Sequence, residues 1–183
     1  MSIREVKIIR DETGIGLKSA QNVLNASKGD LKKALESVKE EGKRIAYQRT
    51  AKLTKSSTIG FYVHGNQRIV AMVEISCESD LTASSDFFNE FANRIAMHVA
   101  AKKSKYLSRK DVPNEILEAI PSDELNEFYK QNCLLDQPYV CNESMSINDL
   151  IFEFIYKHKE NVEINRFSCY TSRREIWTIR QAI

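Results

Sequence analysis

The chain reads as an α+β protein in which a small three-helix unit precedes a three-stranded antiparallel sheet packed with helices. Apolar residues recur at helical spacing three times before Gly42. Two strand-like runs, Ile59–Val63 and Arg68–Ser76, then flank a short polar turn, and a third alternating run, Val162–Tyr170, returns only after several helical segments.

The first helical pattern begins with Ile3, Val6, Ile8 and Ile9, the second spans Leu17 to Ala26, and the third spans Leu31 to Glu41. Thr13-Gly14-Ile15-Gly16 interrupts the first two, and Lys28-Gly29-Asp30 separates the second from the third, with Asp30 placed to cap the third. Ala34, Leu35 and Val38 give that helix an inward face. These elements make a helical domain over 1–42. Over 43–58 the apolar pattern thins while Lys43, Arg44, Arg49, Lys52 and Lys55 accumulate without an acidic residue. This predicts a basic linker, read either as a solvated connector or as an electrostatic contact with a partner or RNA.

Residues 59–183 form the predicted α+β core and tail. The first two strands pair as a hairpin through His64-Gly65-Asn66-Gln67. Glu78-Ser79-Asp80 halts the second strand, and Phe87, Phe88, Phe91, Ile95, Met97, Val99 and Ala100 recur at helical spacing as far as Ala101, the phenylalanines reading as core. Asn114–Ala119 and Asp123–Cys133 suit shorter helices, and Ile147–Lys159 a stronger amphipathic one capped by Ser146 or Asn148. Val162–Tyr170 completes the sheet, and Ile176, Trp177 and Ile179 predict partial burial of the tail.

A chain of 183 residues with 42% hydrophobic residues can build a sizeable core. The net charge of +2, from 27 basic and 25 acidic residues, gives no general reason to bind nucleic acid or a membrane, so any electrostatic function is local. The apolar runs are far shorter than the roughly 20 residues that span a bilayer, and the first ten residues alternate charge with Ile and Val rather than forming a secretory signal. A cytoplasmic location is expected, or an organelle matrix or stroma. Cys77, Cys133, Cys141 and Cys169 lack C-x-x-C spacing, and His64, His98 and His158 lie far apart, so neither a metal nor a cofactor is expected. His98, in an apolar helix, reads as a structural histidine. There is no phosphate-binding glycine loop, and no nucleophile, base and orienting group stand together.

Three places remain as candidate binding residues. Asp80 and Leu81, with Thr82, lie where strand meets helix: they suit a helix cap with a core anchor, or a protruding wedge. Tyr62, His64 and Gly65 occupy the hairpin turn, as simple turn residues or as a contact. Thr13, Gly14, Gly16 and Leu17, beside Asp11, mark one end of the helical unit, as helix terminators or as a partner-facing edge.

Val73-Glu74-Ile75-Ser76-Cys77-Glu78-Ser79-Asp80-Leu81-Thr82-Ala83 resembles the E-V-N-C-E-T-D-F-V-A signature of the bacterial and organellar elongation factor Ts family. Ile95–Ala101, Asp111-Val112-Pro113 and Leu134–Val140 resemble its later motifs in the same order, and the amino-terminal helices resemble its ubiquitin-associated-like domain. The resemblance implies the short class with one core, a non-enzymatic guanine-nucleotide exchange factor whose partner is elongation factor Tu in GDP-bound and nucleotide-free forms. It implies that Asp80 and Leu81 enter the partner's GTPase domain near its magnesium site with Thr82 beside them as a partner-binding residue, that Tyr62, His64 and Gly65 form a Y-x-H-G contact, and that a homodimer of two cores is plausible. A protein-binding adaptor of the same fold with weak or lost exchange is the alternative. Leu81 stands where the family carries Phe and Thr82 where it carries Val; without an aromatic face, Leu81 predicts an insertion site of altered strength. Ser19-Ala20-Gln21-Asn22 replaces the family's Asp-Cys-Lys-Lys, and Ser56-Ser57 replaces its Glu-Gly.

Overall fold

The computed structural model describes residues 3–172, and residues 176–178 by their backbone alone. The chain divides into two compact units, one comprising residues up to Lys52 together with 152–161, the other comprising 53–151 and the residues from Val162 onward.

In the first unit, helices α1 (Ile3–Thr13), α2 (Leu17–Ala26) and α3 (Leu31–Arg49) enclose a core of Val6, Ile9, Ile15, Ala20, Leu24, Ala34 and Val38. Ile15 plugs this core from the turn between α1 and α2, where Gly14 adopts φ +70°. Asp30 caps α3 by accepting from the Lys33 N–H at 3.1 Å. Helix α3 does not stop at Glu41. Its buried stripe continues Ala34, Val38, Gly42, Ala46, one residue per turn, so the first part of the expected linker is helical. Gly42 lies close to a neighbour: a Cβ there would stand 3.3 Å from the Tyr156 ring. Tyr156 itself packs on the unit's core.

In the second unit, strands β1 (Ser56–Val63) and β2 (Ile69–Cys77) form the expected hairpin, with register Gly60↔Val73. The third expected strand, β5 (Val162–Thr171), pairs antiparallel with β2 on its other side, and the short β6 (Ile176–Thr178) pairs with β5, giving the order β1-β2-β5-β6. The side chains expected to bury the tail lie outside the described residues. After β2 the chain forms a single turn, α4 (Asp80–Ala83), and then the long helix α5 (Asp86–Lys102), which crosses the sheet. Ser85 caps α5 by accepting from the Phe88 N–H at 3.4 Å, and Lys103 ends it in the left-handed conformation.

One face of the sheet is covered by α5. Ala71, Val73, Ile75, Phe167 and Cys169 are buried on the strands, and Phe88, Phe91, Ala92, Ile95, Ala96 and Val99 on the helix. Gly60 permits this contact, because a Cβ there would fall onto the backbone carbonyl group of Ala92. Adjacent polar groups fix the crossing: Asn93 Oδ1 accepts from the Phe61 N–H at 2.8 Å, and Thr58 Oγ1 donates to Asn89 Oδ1 at 2.6 Å.

The Gln137–Val140 segment packs on the C-terminal half of α5 through Arg94 and His98. Helices α6 (Asn114–Glu118) and α7 (Leu125–Asn132) precede a two-stranded ribbon, β3 (Pro138–Tyr139) and β4 (Asn142–Ser146). Helix α8 (Ile147–His158) follows, and of the two caps expected, Ser146 is the one used: its Oγ accepts from the Asp149 N–H, and Asp149 accepts from the Ser146 N–H. The Leu134–Val140 motif serves packing. Leu134 and Tyr139 are buried, Asp136 accepts from Arg109 at 2.8 and 2.6 Å, and Gln137 accepts from Ser104 Oγ at 2.5 Å and donates to the Gln131 carbonyl at 2.8 Å. Asp111 likewise closes a capping box with Ser108.

His98 completes this network and is fully buried. Its Nδ1 lies 3.2 Å from the Val140 N–H, which can only donate, so Nδ1 is unprotonated and Nε2–H donates to Gln137 Oε1 at 3.0 Å. The ring is neutral and structural. Burial, opposed by the Gln137 hydrogen bond and assisted by the charge of Lys102, lowers its pKa to about 4.

Two outcomes follow for stability. Gly60→Ala drives a methyl into the backbone of α5, and should lower the unfolding free energy by about 3 kcal/mol in urea titrations. Because His98 stays neutral in the folded state at a pH where the unfolded ring is protonated, its contribution is complete above about pH 6.5 and is lost progressively as pH falls towards 4, by about 3 kcal/mol in all. Unfolding of wild type and His98→Gln at pH 7 and pH 4.5 should show the steeper acid loss in wild type.

Candidate functional site

Serines cap and bind the strand-to-helix turn along its length. Ser79 caps α4 by accepting from the Thr82 N–H at 3.3 Å, Ser84 donates to the Asp80 carbonyl at 2.6 Å, and Ser85 donates to the Thr82 carbonyl at 2.6 Å. Cys77, the last residue of β2, is buried and donates its thiol to the Ser79 carbonyl. Both ends of the turn are therefore anchored, one in the sheet and one in α5.

This arrangement separates the three candidate residues. Thr82 is buried and belongs to the support. Asp80 is exposed, and its Oδ1 accepts from Ser56 Oγ, at the start of β1, at 2.5 Å. Leu81 is 84% exposed, so it is a projection and not the core anchor that was one of its two readings. Phe87 also differs from expectation: Phe88 and Phe91 are buried as core, but Phe87, in the first turn of α5, is 45% exposed.

The hairpin turn lies at the opposite end of β1. Ser56 touches Asp80, and the eight residues of β1 at about 3.4 Å each put roughly 25 Å between that contact and His64. Tyr62 Oη and His64 Nδ1 approach to 3.2 Å. Gln67, and not Gly65, takes the left-handed conformation in this turn, with φ +56°. A Cβ on Gly65 would meet nothing within 4 Å. The two places therefore flank one strand and do not converge on a single pocket.

In the helical unit, Thr13 ends α1 with its hydroxyl donating to the Ile9 carbonyl at 2.5 Å, and Gly14 donates to the Arg10 carbonyl at 2.8 Å. Gly16 is the N-cap residue of α2. These three are helix-end residues in their contacts, while Leu17 is 57% exposed.

The sheet face turned away from α5 was not singled out by sequence reasoning. An antiparallel face that meets water normally carries polar side chains. Here the outward residues of β1 are Ile59, Phe61 and Val63, all exposed. Their row partners include Met72 opposite Phe61, and Tyr170 opposite Val70 in the Val63 row, both also exposed. At the other end of the face Arg166 donates to Glu74 at 2.5 Å.

Among the described residues no group of three or more His, Cys, Asp or Glu is arranged to hold a metal ion, and no helix is long and apolar enough to cross a membrane. Burial pushes the Cys133 thiol up to about 12 and raises that of Cys169. Neither is a thiolate near neutral pH.

A strand, a serine-capped turn and a crossing helix together carry the exposed apolar tip of Leu81. A family model described as Elongation factor TS matches residues 12–122, which puts the chain among the translation elongation factors. An elongation factor Ts from Caldanaerobacter subterraneus subsp. tengcongensis is 33% identical over 92% of this chain and 94% of its own length. Those from Thermosipho melanesiensis and Carboxydothermus hydrogenoformans are 33% and 35% identical, over 93% and 88% of this chain and 98% and 84% of theirs. The chain belongs to the elongation factor Ts family.

Proposed function

We propose that this protein is a guanine-nucleotide exchange factor that accelerates GDP release from elongation factor Tu, and that it acts through the Asp80-Leu81-Thr82 turn. The observation that carries the reading is the exposure of Leu81 on a turn whose neighbours are all held by hydrogen bonds. Burying a leucine contributes about 2 kcal/mol, and a hundredfold weakening of GDP binding requires about 2.7 kcal/mol of coupling. One wedge residue is thus of the right order, provided its burial occurs mainly in the partner conformation that binds GDP poorly. Asp80 supplies a hydrogen-bond acceptor beside it, near the partner's magnesium and nucleotide site. No covalent step or cofactor is needed, so the protein is not an enzyme in this reading.

Tyr62, His64 and Gly65 form the second contact, about 25 Å away along β1. Gly65 leaves that surface open. Thr13, Gly14, Gly16 and Leu17 give a third contact from the ubiquitin-associated-like helical domain, with exposed Leu17 as its apolar element. Labelled GDP release from elongation factor Tu tests the reading. Leu81→Ala and Asp80→Ala should each lower the exchange efficiency about tenfold, which is the loss of about 1.4 kcal/mol. Equal acceleration by wild type and both variants would remove the wedge role. Complex formation without any acceleration by wild type would instead favour an adaptor.

The outward sheet face supports a homodimer. Ile59, Phe61, Val63, Met72 and Tyr170 form an apolar surface on a strand arrangement that a second copy can cover with the same surface, as a two-fold interface requires. Sedimentation should give a dimer for wild type and a monomer for Phe61→Asp.

A further inference from the structure

We infer that Ser56 is a positioning residue for Asp80, a role that rests on the exchange reading and extends it to a residue outside the turn. Ser56 opens β1 and pairs with Cys77, the last residue of β2, so the hairpin register brings its hydroxyl to the strand-to-helix turn. There Ser56 Oγ donates to Asp80 Oδ1 at 2.5 Å.

The backbone of Asp80 is already fixed, since its carbonyl accepts from the Ser84 N–H at 3.0 Å and from Ser84 Oγ at 2.6 Å. Its side chain is a different matter. It is exposed, and an exposed carboxylate distributes over several rotamers. The Ser56 hydroxyl selects one of them and uses only one of the two carboxylate oxygens. Binding through a side chain that is in the required rotamer for only part of the time weakens the apparent affinity by that fraction. Ser56 therefore acts before the partner arrives, by raising the fraction of molecules whose Asp80 is ready. Serine suits the position because it donates; a carboxylate there would face Asp80 with like charge.

The test is the rate of labelled GDP release from elongation factor Tu as a function of factor concentration. Ser56→Ala should raise the half-saturating concentration about fivefold and leave the plateau rate unchanged. Ser56→Thr, which keeps the hydroxyl and suits a strand, should restore the wild-type value. In an Asp80→Ala background, Ser56→Ala should have no further effect, because the group it positions is gone. Thermal unfolding of each variant should stay close to wild type, which separates positioning from folding. A Ser56→Ala variant that matches wild type, an equal loss in Ser56→Thr, or an additive loss with Asp80→Ala would overturn the positioning role while leaving the exchange reading intact. If wild type itself does not accelerate release, the exchange reading fails, and this inference fails with it.

Discussion

The approach of α5 to β1 at Gly60 and Ala92 is the constraint on which the rest of the larger unit depends. A helix separated from a sheet by ordinary side chains has some freedom to slide or rotate. Here backbone meets backbone, and the asparagines at 89 and 93 bond to β1 on either side of the contact. The axis of α5 is fixed as a result. Since β2 is fixed by its pairing on both sides, the few residues between Cys77 and Asp86 span two immovable points. The exposed position of Leu81 is inherited from that span.

In the exchange function proposed above the protein works by differential binding, and this rigidity serves it. A wedge on a mobile loop would lose much of its burial energy to ordering the loop, leaving little to bias the partner. On a turn closed by Ser79, Ser84 and Ser85, little ordering remains to be done. The same logic applies at a smaller scale to Asp80 and Ser56.

Much of the fold was legible because its signals are local. The hairpin of β1 and β2, the alternation of β5, the caps at Asp30 and Ser146, and the helical spacing of Phe88, Phe91, Ile95 and Val99 each follow from residues a few positions apart. Helix α3 beyond Gly42 was not legible, because its inward stripe ends in Gly42 and Ala46, too small to register as an apolar pattern. Phe87 misled for a related reason: spacing cannot say which of two adjacent phenylalanines faces inward. The location of the turn was readable from its motif, and whether Leu81 pointed in or out was not. The pairing of Ser56 with Asp80 depends on the register of a hairpin and joins residues 24 apart in the chain. Gly65 looked like the turn's conformational requirement, whereas Gln67 meets it, since the backbone geometry of the connection is set by the register of both strands.

The hydrogen bond from the Phe61 amide to Asn93 has a consequence for assembly. A sheet whose outermost strand offers bare amides invites a further strand to add to it, and such growth has no natural end. In this protein one outer strand gives an outward amide to a helix side chain, and on the opposite side β5 is followed by β6. Strand addition along β1 is discouraged at that amide, while Ile59, Phe61 and Val63 on its outward face stay exposed. In the homodimer proposed above, association across that face closes on itself, whereas strand addition at an edge does not.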